Sequence, residues 1–184
     1  MLPTGVMLKS FRDQVYGITR LLWLIIGMVD IHPLCYTLIH IPEFQRLRDI
    51  RQLNNLHYIY PGATHDRCDL SLSLIISRFQ HCIGVYHLAE VFIERLQKIQ
   101  PELNITEEEK LCVCIAGLYH DIGHIMMGHL YPLYVHYCKS RILVEHEVMS
   151  CYIFKLVIKK YNLLQEFQKY NLTEDVSWVF SFSS

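Results

Sequence analysis

The stretch that most constrains the fold is TEEEKLCVCIAGLYHDIGHIMMGH, residues 106–129. Its first turn carries a capping box, Thr106 with Glu109, and three acids that suit the positive end of a helix. Leu111, Ile115, Leu118 and Ile122 then recur at helical spacing, and Gly123 supplies a natural stop. The spacing therefore predicts a long, mostly buried helix with His120 and Asp121 in its last turn. Burying unpaired polar groups costs several kcal/mol each, so these side chains need partners: protein hydrogen bonds, a metal, or a substrate. The rest of the sequence has to choose among them.

The rest of the chain reads the same way. PEFQRLRDIRQL opens with a proline suited to the first helical position and spaces Phe44, Leu47 and Ile50 by three. From Phe79, the positions Val85, Leu88, Phe92, Leu96 and Ile99 trace one helix face, which Pro101 ends, and His81 is expected to share that buried side. A further helix is predicted from about Val144 to Leu164, with His146, Met149, Ile153, Leu156 and Val157 along it. The expected class is all-α. With 184 residues, 52% of them hydrophobic, the chain can bury one sizeable core, and neither repeats nor a Pro/Gly linker divide it.

Several classes of function lose support at this point. The net charge of −1 gives no reason to expect a nucleic-acid or acidic-membrane partner. The apolar run Leu21–Val29 is shorter than the roughly 20 residues of a spanning helix, and no small-residue cleavage pattern follows it. Seven cysteines, an odd number lying mostly among apolar neighbours, read as reduced thiols in an intracellular protein, nuclear or cytoplasmic, rather than a disulfide framework.

The chemistry-bearing residues cluster. Adjacent helical side chains project about 100° apart, so His120 and Asp121 can face one ion at the helix end. Imidazole and carboxylate without thiolate leave Mn, Fe, Mg and Zn all open as the divalent cofactor. His81, His124, His129 and His146, the last between Glu145 and Glu147, add further donors. A rival reading takes HDIGH as a variant of the zincin H-E-x-x-H helix. The shorter Asp reaches a water less well than Glu would, and Gly123 interrupts the helix that motif needs.

The segments IHPL, PEFQRLRDIRQL, YPGATHDR, RFQHCIGV, QPEL, LCVCIAGLYHDIGH and EHE together resemble the HD-domain phosphohydrolases. Their nearest likeness is to the vertebrate branch that joins a SAM and an HD domain and hydrolyses deoxynucleoside triphosphates. The resemblance implies an HD-domain helical bundle over 30–176, preceded by an N-terminal segment, 1–29, and followed by a divergent tail, 177–184. It implies cleavage of a dNTP such as dGTP into deoxynucleoside and triphosphate. By position, His81, His120 and Asp121 are the implied metal ligands. His124, His129 and His146 are the implied catalytic groups around the phosphates, with His129 the proton donor to the leaving 5′-oxygen. Gln52 and Leu53 would touch the deoxyribose, and an arginine before Phe79 the base or phosphates. That arginine is Arg67 or Arg78, and direct adjacency favours Arg78. Gln45 and Arg48 match an activator-nucleotide site, but His40 stands where the family has an aspartate, and a neutral imidazole cannot accept from a guanine edge as a carboxylate does.

Departures from the family pattern define further expectations. The family's fourth ligand is an aspartate well downstream, whereas the one aspartate after Asp121 here is Asp175, at a different position. The bundle is therefore expected to be truncated and its ion held by three protein ligands. Two short stretches, ITRLLWLIIGMV (18–29) and CDLSLSLIISR (68–78), interrupt the match as atypical inserts. The Leu–Ser alternation of the second would read as a strand. Its residues share pyrimidine-rich codons, so a translated intron edge and a lineage-specific loop are both open as its origin. The second class of function is an inactive HD fragment that binds nucleotide or metal, forms a homo-oligomer, or associates with a longer homologue.

Overall fold

The structure is a computed structural model that describes residues 9–10, 29–52, 77–125, 130–138 and 145–172. A two-residue strand, β1 (Lys9–Ser10), pairs antiparallel with β2 (Asp30–Ile31). Everything else regular among the described residues is helical, in agreement with the all-α expectation.

His32 caps α1 (Pro33–Ile39), its ring accepting from the Leu34 amide, and Pro33 sits in the first turn where its missing N–H costs nothing. Next, α2 (Pro42–Gln45) tightens into a 3₁₀ turn, Arg46–Asp49. The spacing of three read in this segment suits three residues per turn, and it buries Phe44, Leu47 and Ile50 together. The longest helix, α3 (Arg78–Ile99), is opened by a capping box of Ser77 and Gln80. A 3₁₀ turn at Pro101–Leu103 and Asn104, at φ 48°, lead to α4 (Glu107–Tyr119), whose Thr106–Glu109 capping box forms as expected. Then follow α5 (Leu130–Tyr137), α6 (His146–Lys160) and α7 (Leu164–Gln168).

The core runs beneath the end of α4. Phe79, Phe44, Tyr119, Phe154 and Phe167 form a chain of ring contacts with centroids 5.4, 5.3, 5.2 and 6.1 Å apart, linking α3, α2, α4, α6 and α7. The Tyr119 hydroxyl donates to the Leu38 carbonyl at 2.8 Å, so its one polar atom is satisfied within the core. Leu111, Ile115, Leu118 and Ile122 are all buried, as the periodicity implied.

Three expectations are corrected. The core face of α3 is Phe79, Cys82, Ile83, Tyr86 and Ile93, whereas Leu88, Phe92 and Ile99 are 61%, 60% and 63% exposed. This helix carries two apolar stripes, and α4 packs closely against the border between them: a Cβ at Gly117 would lie 3.4 Å from Val85 Cγ1 and 3.5 Å from the Ala89 Cβ. Val85, at the edge of the expected stripe, and Ala89 thus meet α4, while Leu88 and Phe92 face solvent. On α6, Phe154 and Val157 are buried while Leu156 faces solvent. Finally, α4 ends at Tyr119, so His120 caps it and Asp121 lies in the turn beyond.

The predicted strand of the second insert lies outside the described residues except for its last two. Of these, Ser77 caps α3 and Arg78 is its first residue. The run Leu21–Val29 is likewise outside them, save for Val29.

Candidate metal centre

Leaving the helix at Tyr119 exposes the chain to a sharp turn, and that turn sets the site. Gly123 is required there: a Cβ would collide with the His146 carbonyl and lie 2.6 Å from the Ser150 amide. Ser150, buried one helical turn after His146, uses its hydroxyl twice. It accepts from the Gly123 amide at 2.8 Å and donates to the His120 carbonyl at 2.7 Å, tying α6 to the turn.

Around Asp121 four imidazoles converge. His120 Nδ1 lies 2.8 Å from the Gly117 carbonyl and donates to it, which leaves the Nε2 lone pair directed outward. That Nε2 is 3.1 Å from Nε2 of His81, in the first turns of α3. Both face the Asp121 carboxylate, at 3.4 Å from Oδ1 for His120 and 3.5 Å from Oδ2 for His81. On the other side, His124 Nε2 lies 3.3 Å and His146 Nε2 4.0 Å from Oδ1, and these two rings stack with centroids 3.9 Å apart. Glu147 holds the far edge of His146, 3.1 Å from Nδ1.

Electrostatics keep the carboxylate charged. Burial alone would raise the Asp121 pKa, but the hydrogen bond from His124 and the electrostatic influence of the adjacent His120 and Arg78 outweigh it and hold the group well below the ordinary carboxylate range. Arg78 makes the shortest of these contacts: fully buried, it places Nη1 2.5 Å from Asp121 Oδ2. Its Nε and Nη2 are also buried and have no partner among the described residues. Burial lowers the pKa of His81, which favours the neutral, lone-pair form.

The donor set fits a divalent ion. Separations of 3.1 to 3.5 Å among His81 Nε2, His120 Nε2 and the Asp121 oxygens are those of neighbouring ligands with bonds of about 2.0–2.2 Å. A second triad, Asp121, His124 and His146, shares the carboxylate. Cys82 lies nearby, but burial and the Asp121 charge push its thiol far up, so no thiolate joins the set. The donors remain nitrogen and carboxylate oxygen, which suits Mn, Fe, Mg or Zn without choosing among them.

Of the residues the sequence singled out, His81, Arg78, His120, Asp121, His124 and His146 come together. His129, Leu53 and Arg67 lie outside the described residues. Gln52 is partly buried, with its Oε1 enclosed and unpartnered among the described residues. Gln45 and Arg48 form a separate pair: Gln45 donates to the Ile39 carbonyl at 2.7 Å and accepts from Arg48 Nε at 2.7 Å, and Arg48 lies over the Phe79 ring at 3.7 Å. His40 is exposed, with Nδ1 2.8 Å from the Tyr36 carbonyl. Two contributors escaped the sequence reading. Ser150 carried a signal, a small polar residue one turn beyond His146. Arg46, whose guanidinium bonds the carbonyls of Ile122 and His124, carried none, because its partners lie 76 and 78 residues away.

The family model for the HD domain matches residues 78–180. The chain is 34% identical over 179 residues to the deoxynucleoside triphosphate triphosphohydrolase SAMHD1 of Gallus gallus, an alignment covering 96% of this chain and 26% of that protein. Against the Bos taurus protein of the same name it is 39% identical over 145 residues, covering 78% of this chain and 23% of the other. The Dictyostelium discoideum homologue is 36% identical over 137 residues, 74% of this chain and 24% of its own length. The chain thus spans about a quarter of the length of these curated relatives.

Proposed function

The chain belongs to the HD-domain family, and from that premise we propose that it carries the metal-dependent site of a dNTP triphosphohydrolase, cleaving dNTP with water into deoxynucleoside and triphosphate. The observation that carries this reading is the convergence of His81 Nε2, His120 Nε2 and the Asp121 carboxylate. The relatives named for that activity supply the substrate class.

In this reading His81, His120 and Asp121 hold the ion as three protein ligands. A divalent ion held there supplies Lewis acidity toward a phosphate oxygen. The chain's own groups bind and orient the triphosphate. Stacked His124 and His146 sit beside Asp121 with their Nε2 atoms toward the same carboxylate, and Glu147 fixes the His146 ring through Nδ1. Both are suited to donate to phosphate oxygens, while His129 protonates the leaving 5′-oxygen as general acid. Arg78 keeps Asp121 ionised through Nη1, and its Nε and Nη2 are two further donors for a phosphate. Gln52 and Leu53 contact the deoxyribose. Gln45 and Arg48 form a weakened activator-nucleotide site, since each already bonds the other.

The test is triphosphate release from dGTP and dATP by the purified chain with manganese, compared with GTP and a nucleoside monophosphate. Release from the deoxynucleotides is expected, and His120→Ala should abolish it. A folded, metal-loaded chain that releases no triphosphate would overturn the catalytic reading in favour of an HD fragment that binds nucleotide or joins a longer relative.

A further inference from the structure

We propose that Arg46 is a positioning residue that fixes the ligand-bearing turn from outside the site. The inference rests on the reading of Asp121 and its neighbours as metal ligands, and it concerns a residue well removed in sequence from all of them.

The last carbonyls of a helix have no partner within it, and where the chain turns sharply they must find one elsewhere. Beyond α4 the carbonyls of Ile122 and His124 point to Arg46. Its Nη1 donates to the His124 carbonyl at 2.9 Å and its Nη2 to that of Ile122. A planar guanidinium presents donors from two nitrogens in a fixed fork, so one side chain can hold two carbonyls two residues apart in a geometry that a lysine's single nitrogen does not impose. The positive charge also suits the negative end of α4.

Nothing else explains the placement of this arginine. Among the described residues it forms no ion pair, and burial lowers its pKa, so its position costs solvation. The acid whose charge acts on it, Glu43, is engaged by Lys160 at 2.7 Å and the Tyr161 hydroxyl at 3.1 Å. The 3₁₀ turn that presents Arg46 is itself rooted in the core by Leu47, which is fully buried.

The turn is therefore gripped from two sides with different reach. Ser150 holds the His120 carbonyl and the Gly123 amide, and Gly117 orients the His120 ring. Arg46 holds the carbonyls flanking the rest of the turn, so Asp121 and His124 depend on it more than His120 does. Losing Arg46 should loosen that half while α4 stays intact.

Two readouts test this on the full chain. In Arg46→Met, the amides of Ile122 and His124 should exchange with solvent at least about tenfold faster, while those of Leu111–Leu118 in α4 keep the parent rate. A merely structural role would raise both regions together, and parent rates at the turn would overturn the proposal. Cobalt titration followed by visible absorption should show about 10- to 100-fold weaker binding with a shifted ligand-field band. Arg46→Lys, which keeps the charge and N–H donors but not the fork, should recover part of both, and it serves in place of Arg46→Met if that variant does not fold. An unchanged cobalt affinity and band would also overturn the proposal. If the parent chain binds no cobalt, the metal reading fails, and the exchange rates decide the role of Arg46 alone.

Discussion

At the scale of single residues, the chain uses histidine for two different purposes, and the distinction is visible in proton chemistry. His32 lies outside the candidate metal centre. Its Nδ1 accepts from the Leu34 amide at 3.2 Å to cap α1, its own amide donates to the Tyr86 hydroxyl, and its ring meets Tyr170 edge-on at 4.5 Å. Protonation at Nδ1 removes the acceptor, and burial lowers the pKa from its ordinary 6.5 to about 4. A folded-state value below the unfolded one means that the unfolded chain binds the proton more readily between those limits. Stability is therefore fully present above pH 6.5 and is lost as pH falls towards 4, by on the order of 1–2 kcal/mol after allowance for partial solvent contact. His32→Asn keeps a capping acceptor without a titrating ring, so its urea midpoint should fall less than the parent's between pH 6.5 and 4.5. Equal pH slopes in parent and variant would assign the acid sensitivity to another group.

At the scale of elements, the sequence was most legible where the signal is local. The Thr106–Glu109 capping box and the stripe Leu111, Ile115, Leu118 and Ile122 define α4 from neighbours within a few residues of one another. The spacing of three in PEFQRLRDIRQL was legible too, although it marks a 3₁₀ turn rather than a longer α-helix. Helix α3 was legible as a helix but not in its rotation. Both of its faces carry large apolar residues, and which one is buried is set by packing on distant elements, such as Phe79 against Phe44. Substitution separates the faces energetically. Phe79, 1% exposed and in contact with Phe44, should cost about 3–5 kcal/mol on truncation to alanine. Phe92→Ala, on the outward stripe, should stay within about 0.5 kcal/mol of the parent. Urea denaturation of the two variants checks the assignment, and comparable losses would restore the stripe read from periodicity.

At the scale of the whole molecule, the site is where separate elements meet. His81 comes from α3, His120, Asp121 and His124 from the turn after α4, and His146 from α6. The sequence could bring forward the residue types, because HD and its flanking histidines are compact in the chain. It could not bring forward the supports, because Ser150 and Arg46 act across 27 to 30 and 76 to 78 residues. The same dispersal has a thermodynamic consequence. The unfolded chain has no preassembled donor set, so an ion bound by these groups stabilises the folded state by mass action. At a free concentration one hundred times the dissociation constant, that linkage is worth about 2.7 kcal/mol. For a chain of this size, such a gain should raise the melting temperature by roughly 5–10 °C. His120→Ala is the informative control, since this side chain is 37% exposed and its truncation opens little core. The variant should melt near the metal-free parent and gain little from manganese. Scanning calorimetry with and without the ion measures both quantities, and a parent melting temperature unmoved at saturating manganese would mean that no ion joins α3 to the turn after α4 at this site.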